Sequence, residues 1–272
     1  MGGSSSRINE SKTNHAASVP ESSSKKLYNS IVRIEVDLNE KEKVAGTGFF
    51  LKCNIKNKDR YFLMTCQHVI KEEFVKAKKV IKFYYGEADN EKELKIGLGE
   101  RYIKYFDEPL DVTLIEILKK DNINEDKFLQ PDFSYKNGYN FYADKKNDFY
   151  LAGYPNNKER SISSGKITKI LKEKVEFEHD LDAEGGNSGS PICLANSLFV
   201  VGIHKQGHKT EPINYGTFLG YILNILEKEE NLEYKKEEFD IKILNKTKNQ
   251  KEKGKEGRSK KSEKWWKERR EI

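Results

Sequence analysis

A series of short apolar segments, from about residue 27 to about residue 220, most constrains how this chain can fold. The first, "SIVRIEVDL", alternates apolar and polar residues with the period of a half-buried strand. Later segments include "RYFLMTCQHVI", "DVTLIEIL", "DFYLAGYP" and "SLFVVGIHK", each bounded by polar, turn-forming residues. Many short strands joined by turns predict an all-β barrel or sandwich. Two helices are also predicted, one directly after His68 and one over residues 219–230.

The two ends of the chain differ in composition from this middle part. Residues 1–26 are rich in Ser, Asn and Lys, offer almost nothing to bury, and are predicted to be disordered. Beyond residue 231 charged residues dominate, which predicts a largely disordered, basic tail. Over all 272 residues, 36% are hydrophobic and 35% charged. We therefore expect one folded domain over residues 27–230, flanked by polar ends at 1–26 and 231–272.

Targeting signals and cysteines predict where the protein resides. No apolar run approaches the roughly 20 residues that cross a bilayer, and the first residues lack the hydrophobic core of a secretory signal. The three cysteines, Cys53, Cys66 and Cys193, are too few and too scattered for a disulfide framework or a zinc site. The sequence predicts free thiols in the reducing cytoplasm, with no metal or cofactor.

Both ends suggest a membrane partner. The start "MGGSSS" fits the myristoylation pattern, with Gly2 exposed after removal of Met1. One acyl chain binds membranes only weakly. The net charge of the whole chain is +6, but residues 242–272 alone carry +8 and the rest of the chain carries −2. The positive charge of this tail would attract an anionic leaflet. We predict anchoring to the cytoplasmic face of a membrane; equal partitioning of wild type and Gly2→Ala contradicts it. The alternatives are a tail without a partner and, less expected without a matching fold, nucleic-acid binding.

Three strand-edge residues predict nucleophilic catalysis. They follow in the order His68, Asp111, Ser188, each beside an apolar segment. A serine nucleophile needs a base within hydrogen-bond reach, and that base needs a carboxylate to orient it. Each residue alone is more often structural, in a turn, a cap or a loop. Together they indicate a Ser-His-Asp triad.

The glycines around the serine, in "AEGGNSGSPICL", support this interpretation. A dense glycine cluster is costly unless its backbone conformation is needed. Backbone N–H groups of Gly186 and Ser188 could converge on one point as an oxyanion hole, each donor contributing about 2.7–4 kcal/mol to transition-state stabilisation.

With these residues in view, the chain resembles chymotrypsin-fold serine endopeptidases, which have His, Asp and Ser in this order. "GNSGSP" stands where the digestive enzymes have "GDSGGP". The segments "GTGFFL", "GYP", "SGKI" and "DLDAEGGNSGSPI…VVGIH" are most similar to the glutamyl endopeptidase (V8-like) branch. The resemblance implies two six-stranded antiparallel β-barrels with a C-terminal helix. It also implies peptide hydrolysis through an acyl-enzyme, with protein or peptide substrates.

The resemblance leaves two substrate specificities open. In the V8-like enzymes the His of the "G-x-H" strand lines the primary pocket; here it is His204, whose imidazole can hydrogen-bond a Glu or Gln side chain. These enzymes usually have Thr or Ser where this chain has Ala183. The adjacent Asp182 lies where trypsin-like members select Lys or Arg. We expect cleavage after Glu or Gln, with Lys or Arg as the alternative.

The remaining candidates have simpler interpretations. His15, His179 and His208 show no partner pattern and are predicted to lie at the surface. Cys66 is predicted to fill the core as a small side chain. The alternative to an enzyme is a catalytically inactive protease-like module that binds peptides or acts as a membrane scaffold. Every predicted catalytic position holds a competent residue, which favours the enzyme.

Overall fold

The computed structural model describes residues 19–87, 90–171, 175–208 and 210–229. The chain divides after Leu232, and all of these residues lie in its first part. Gly2 and the whole predicted tail, residues 231–272, lie outside the described residues, so lipidation and membrane binding stay predictions. Among the described helices, none is long and apolar enough to cross a bilayer.

The first half of the described chain forms an antiparallel sheet of seven strands. They are β1 (Ile31–Asp37), β2 (Lys43–Ile55), β3 (Lys58–Cys66), β4 (Val80–Glu87), β5 (Asn90–Glu93), β6 (Ile103–Phe106) and β7 (Val112–Glu116), in the order β5-β4-β1-β2-β3-β7-β6. The pairing of β3 with β7 sets Cys66 opposite Val112. Because both strands border the predicted triad residues, this register brings His68 and Asp111 to the same end of the sheet.

The second half forms another seven-stranded antiparallel sheet. Its strands are β8 (Phe149–Gly153), β9 (Ser161–Gly165), β10 (Ile167–Ile170), β11 (Glu176–His179), β12 (Pro191–Leu194), β13 (Val200–Gly207) and β14 (Asn214–Phe218), in the order β10-β11-β14-β13-β12-β8-β9. Only Lys166 separates β9 from β10, yet these strands occupy the two opposite edges of the sheet. One bent segment therefore joins both edges and closes the barrel.

The predicted double β-barrel is confirmed, with seven strands in each sheet where six were predicted. In the second barrel the extra strand arises because "SISSGKITKI" bends at Lys166 and divides into β9 and β10. In the first barrel it arises because the chain folds back after β4 and adds β5, a short strand of exposed residues, at the sheet edge.

Among the described residues, three α-helices accompany the sheets: α1 (Glu21–Ser30), α2 (Glu72–Lys76) and α3 (Leu219–Lys228). The predicted helices after His68 and at the C-terminal end of the domain correspond to α2 and α3. Helix α1 corrects the prediction that residues 1–26 are disordered as a whole, because the chain is helical from Glu21 onwards. Leu27, on this helix, is fully buried and gives it apolar surface to pack against the first barrel.

Thr47, on β2, ties the two barrels together. Its N–H donates to the carbonyl of Ser188 at 2.9 Å, and its hydroxyl donates to the carbonyl of Gly186 at 2.8 Å. The same hydroxyl accepts the N–H of Tyr154 at 3.0 Å. These bonds hold the glycine-rich loop of the second barrel against the first barrel, where His68 and Asp111 lie.

Candidate active site

His68 and Asp111 form a two-point hydrogen-bonded pair. The carboxylate of Asp111 accepts the backbone N–H of His68 at one oxygen (2.8 Å), and its other oxygen lies 2.6 Å from Nδ1 of the imidazole. The Asp111 side chain is only 3% exposed, whereas that of His68 is 42% exposed. The pair therefore fixes the ring through Nδ1 and leaves Nε2 for another partner. The carboxylate partner expected from the sequence is present.

A tight turn presents the Asp111 carboxylate. The N–H groups of Leu110 and Asp111 both donate to the carbonyl of Asp107, at 3.0 and 3.2 Å. Asp111 itself has φ +52°, in the left-handed region that Asp tolerates better than most residues. Its carbonyl accepts the N–H of Gln67 at 3.1 Å. The backbone on both sides of the carboxylate is therefore fixed against the strand end that carries His68.

Ser188 lies in the loop between β11 and β12, held on both sides by the backbone. Its carbonyl accepts the N–H of Thr47, and the next residue, Gly189, donates its N–H to the carbonyl of His204 at 2.9 Å. The Ser188 hydroxyl donates to the carbonyl of Lys205 at 3.0 Å. Within the described part of the chain, no hydrogen bond joins Ser188 to His68. The structure thus places the serine at the seam between the barrels with its hydroxyl turned towards β13.

The backbone amides around Ser188 fall into two groups. Those of Asn187, Gly189 and Ser190 donate to carbonyls of the protein at 2.9–3.0 Å. Those of Gly186 and Ser188 have no acceptor among the described residues. These are the two donors that the sequence predicts for an oxyanion hole, and both are available to an incoming oxygen.

Two glycines of this loop are required by its conformation. Gly186 has φ +95° and Gly189 has φ +93°, which favours glycine. A Cβ at Gly186 would lie 2.5 Å from the carbonyl oxygen of Tyr154, and one at Gly189 would lie 2.0 Å from that of Thr47. The neighbouring Gly185 has only one atom within 4 Å of such a Cβ, at 3.9 Å.

His204 is completely buried and pairs with a second buried histidine. Nδ1 of His204 lies 3.1 Å from Nε2 of His179. Burial, and secondarily the nearby His68, lowers the pKa of His204 to about 3, and burial also lowers that of His179. Nε2 of His204 is buried without a hydrogen-bond partner among the described residues.

The prediction that His179 lies at the surface is therefore wrong. On β11 the residues alternate between half-buried and buried, and His179 falls on the buried face with Phe177. That alternation is visible in "KVEFEHDL" and could have identified the histidine as an inward-facing residue.

Ala183 and Asp182, the other two candidate residues for substrate specificity, differ in their surroundings. Ala183 is 2% exposed and belongs to the hydrophobic core. Asp182 is half-buried, and its backbone carbonyl accepts the hydroxyl of Ser163 at 2.7 Å. Ala183 therefore supplies no polar group to a substrate, while Asp182 lies in a segment fixed to β9.

Cys66 is a buried neighbour of the His68–Asp111 pair. Its thiol lies 3.3 Å from the carbonyl of His204, and burial, followed by the Asp111 charge, raises its pKa. Sulfur, nitrogen and oxygen atoms of Cys66, His68 and Asp111 lie within 4.8 Å of one another, a grouping of metal-ligand types that spacing along the chain did not predict. Each of these groups already has a hydrogen-bond partner in the protein.

Residues 46–203, more than half of the chain, match the family model for a trypsin-like peptidase domain. The chain belongs to the trypsin-like peptidase family. A comparison with curated protein sequences finds no match.

Solved structures with a similar fold include two proteases and Deg5. The active form of the Rv3671c protease from M. tuberculosis has a TM-score of 0.54 and 16% identity, covering 75% of this chain and 82% of that one. The serine endoprotease from Yersinia pestis has a TM-score of 0.50 and 15% identity, covering 75% and 64%. Deg5 has a TM-score of 0.52 and 15% identity, covering 74% and 88%. At these identities the trypsin-like peptidase fold is shared, and placement in the V8-like branch stays a prediction.

Proposed function

We propose that this protein is a serine endopeptidase that cleaves peptide bonds through an acyl-enzyme. The observation that carries the proposal is the two-point pair of His68 and Asp111 at the seam where Ser188 also lies. In a trypsin-like peptidase domain, these are the three side chains that nucleophilic hydrolysis needs.

In this mechanism the Ser188 hydroxyl attacks the peptide carbonyl carbon while Nε2 of His68 accepts its proton. Asp111 stabilises the resulting imidazolium. The amides of Gly186 and Ser188 bind the oxyanion of the tetrahedral intermediate. Its collapse releases the amine, which takes the proton from His68, and water activated by His68 then hydrolyses the ester on Ser188.

The bond between the Ser188 hydroxyl and the Lys205 carbonyl must be exchanged for one to His68. Catalytic hydrogen bonds are often long or poorly aligned in the free enzyme and tighten when substrate binds. Exchange of one carbonyl acceptor for the imidazole is a local rearrangement of this kind.

We also propose that cleavage follows Glu or Gln and that the chain is a V8-like enzyme. His204 supports this, because its buried Nε2 has no partner in the part of the chain that the structure describes and can donate to a side-chain oxygen once Nδ1 accepts from His179. Such a buried donor discriminates against apolar side chains, which would leave it unpaired. Selection of Lys or Arg by Asp182 is the competing possibility.

Two experiments separate these possibilities. A fluorophosphonate probe should label the wild-type protein and fail to label Ser188→Ala, since the probe reports an activated serine. A peptide-library profile of wild-type protein not treated with the probe, with Ser188→Ala as the control, should show Glu or Gln before the cleaved bond. Absence of labelling under any condition would favour an inactive peptide-binding or scaffold module, and a profile dominated by aliphatic residues would contradict both specificities.

A further inference from the structure

Lys205 is a charged side chain buried at the seam, directly after His204 on β13. Its side chain is 3% exposed. The ammonium group lies 2.8 Å from a carboxylate oxygen of Glu108, 2.8 Å from the carbonyl of Pro109 and 2.7 Å from a carboxylate oxygen of Glu176. A lysine has three N–H donors, so each of them has an acceptor.

The acceptors Glu108 and Pro109 belong to the turn that ends in Asp111. A second residue of the other barrel also binds this turn, because the hydroxyl of Thr217 donates to the carbonyl of Leu110 at 2.7 Å. Three consecutive residues of the first barrel, 108–110, are thus held by side chains of the second barrel. The next residue is the carboxylate that orients His68.

The backbone of Lys205 contacts the other half of the site. Its carbonyl accepts the Ser188 hydroxyl at 3.0 Å. One residue therefore touches the turn that presents Asp111 through its side chain and the proposed nucleophile through its main chain.

The charges show what holds this ammonium group in place. Burial alone would lower the pKa of Lys205, but the hydrogen bonds to Glu108 and Glu176 outweigh it, and the pKa is raised. Glu108 is 66% exposed and Glu176 is 26% exposed, so water reaches the carboxylates more than the ammonium group. Removing the ammonium group leaves the Glu176 carboxylate, which is 26% exposed, and the Pro109 carbonyl without this donor, whereas water can replace it at Glu108.

We propose that Lys205 is a positioning residue that sets the distance between the His68–Asp111 pair and Ser188 by clamping residues 108–110 to the second barrel. This inference rests on the proposed serine endopeptidase function. It assigns to one lysine the alignment of catalytic groups that come from two barrels, where a displacement of about 1 Å can reduce a rate about 100-fold.

The test compares Lys205→Met with Lys205→Arg and a matched control. Methionine keeps the length and apolar stem but loses the charge, whereas arginine keeps the charge and several donors. Lys169→Met is the control, because Lys169 also pairs with a glutamate of β11, Glu178, at 3.0 Å but is 63% exposed.

Two measurements are made on each full-length variant. The first is the rate constant of fluorophosphonate labelling, expressed per folded protein, together with kcat and KM for a cleaved peptide. The second is amide hydrogen exchange of the peptide spanning residues 107–112, which reports the turn without requiring activity.

We expect Lys205→Met to lower the labelling rate and kcat by about 10–100-fold, with KM changed much less, and to speed exchange over residues 107–112. Lys205→Arg should restore most of the rate, Thr217→Val should act in the same direction but more weakly, and Lys169→Met should resemble wild type. An unchanged labelling rate in Lys205→Met would overturn the proposal. So would a rate that falls only in proportion to the folded fraction.

The result also separates this inference from the function on which it rests. Labelling of wild type and not of Ser188→Ala supports the function whatever Lys205→Met does. If wild type is not labelled, the proposed function fails. Hydrogen exchange alone then tests whether Lys205 holds residues 108–110. Equal exchange rates over residues 107–112 in Lys205→Met and wild type would overturn the proposal.

Discussion

The two barrels contribute to the candidate site in different states. The first barrel supplies His68 and Asp111 already joined by two hydrogen bonds of 2.6 and 2.8 Å. The second barrel supplies Ser188 and two amides that have no acceptor among the described residues, with the serine hydroxyl bonded to the carbonyl of Lys205. The proposed base is therefore oriented before substrate arrives, whereas the proposed nucleophile must change its partner.

This difference follows from how each half is built. Asp111 and His68 extend from paired strands, so the strand register itself brings them together. Ser188 lies on a loop whose shape depends on two positive-φ glycines and on contacts with Thr47. A strand register specifies a distance within one barrel, but the position of the loop depends on how the two barrels meet.

The largest expected effect on activity comes from disrupting the His68–Asp111 pair of the first barrel. Asp111→Asn should lower kcat about 10⁴-fold, because an amide stabilises the wrong tautomer of His68 and leaves Nε2 protonated. Peptide hydrolysis at neutral pH, compared with the thermal unfolding midpoint, measures this.

The matched control for that change is Asp107→Asn. Its carboxylate accepts a hydrogen bond from the side chain of Gln67 at 3.2 Å at the exposed surface, so kcat should hardly change. A loss of less than about tenfold in Asp111→Asn, with the fold intact, would show that the pair does not serve catalysis.

Disturbing the loop around Ser188 in the second barrel should have a smaller effect on activity. Gly186→Ala forces a Cβ against the Tyr154 carbonyl at φ +95°, which should displace one oxyanion donor and lower kcat about 10²–10³-fold. Gly185→Ala, one residue earlier, has room for the Cβ and should behave like wild type. Equal activities of the two variants would contradict the assignment of the Gly186 amide.

The smallest expected effect is a loss of stability in acid. It arises in the second barrel, where His179 and His204 are buried. The pKa of His204 is about 3 in the folded chain against 6.5 in the unfolded chain. The unfolded chain binds this proton first, so the free energy of unfolding should fall as pH drops from about 6.5 towards 3. At pH 4.5 the loss from this residue is about 3 kcal/mol.

Urea unfolding at pH 7 and pH 4.5 measures that loss. His204→Gln should lose less stability between the two values than wild type, and His208→Asn, at a half-buried position, serves as the comparison. If His204→Gln and wild type lose the same amount, His204 does not stay neutral in the folded state.

Local signals in the sequence predict an all-β barrel or sandwich and the candidate triad residues, whereas the division into two barrels is implied by the resemblance to chymotrypsin-fold enzymes. Alternation marks the strands, and glycine density marks the loop around Ser188. Lys205 could not be identified in this way. A lysine within a strand is expected to face solvent, and only the folded structure brings Glu108 and Glu176 to its ammonium group. His179 was missed although its strand alternation places it inward, because no residue near it in sequence suggested a partner.

The buried pair of His179 and His204 bears on which side chain the proposed pocket would accept. Burial keeps both rings uncharged at neutral pH, so the pocket offers a hydrogen bond without a countercharge. A glutamate side chain would have to give up its hydration or bind a proton before entering, whereas a glutamine amide is already neutral. The charge neutrality of His204 therefore favours glutamine over glutamate as the side chain that the proposed pocket would accept before the cleaved bond.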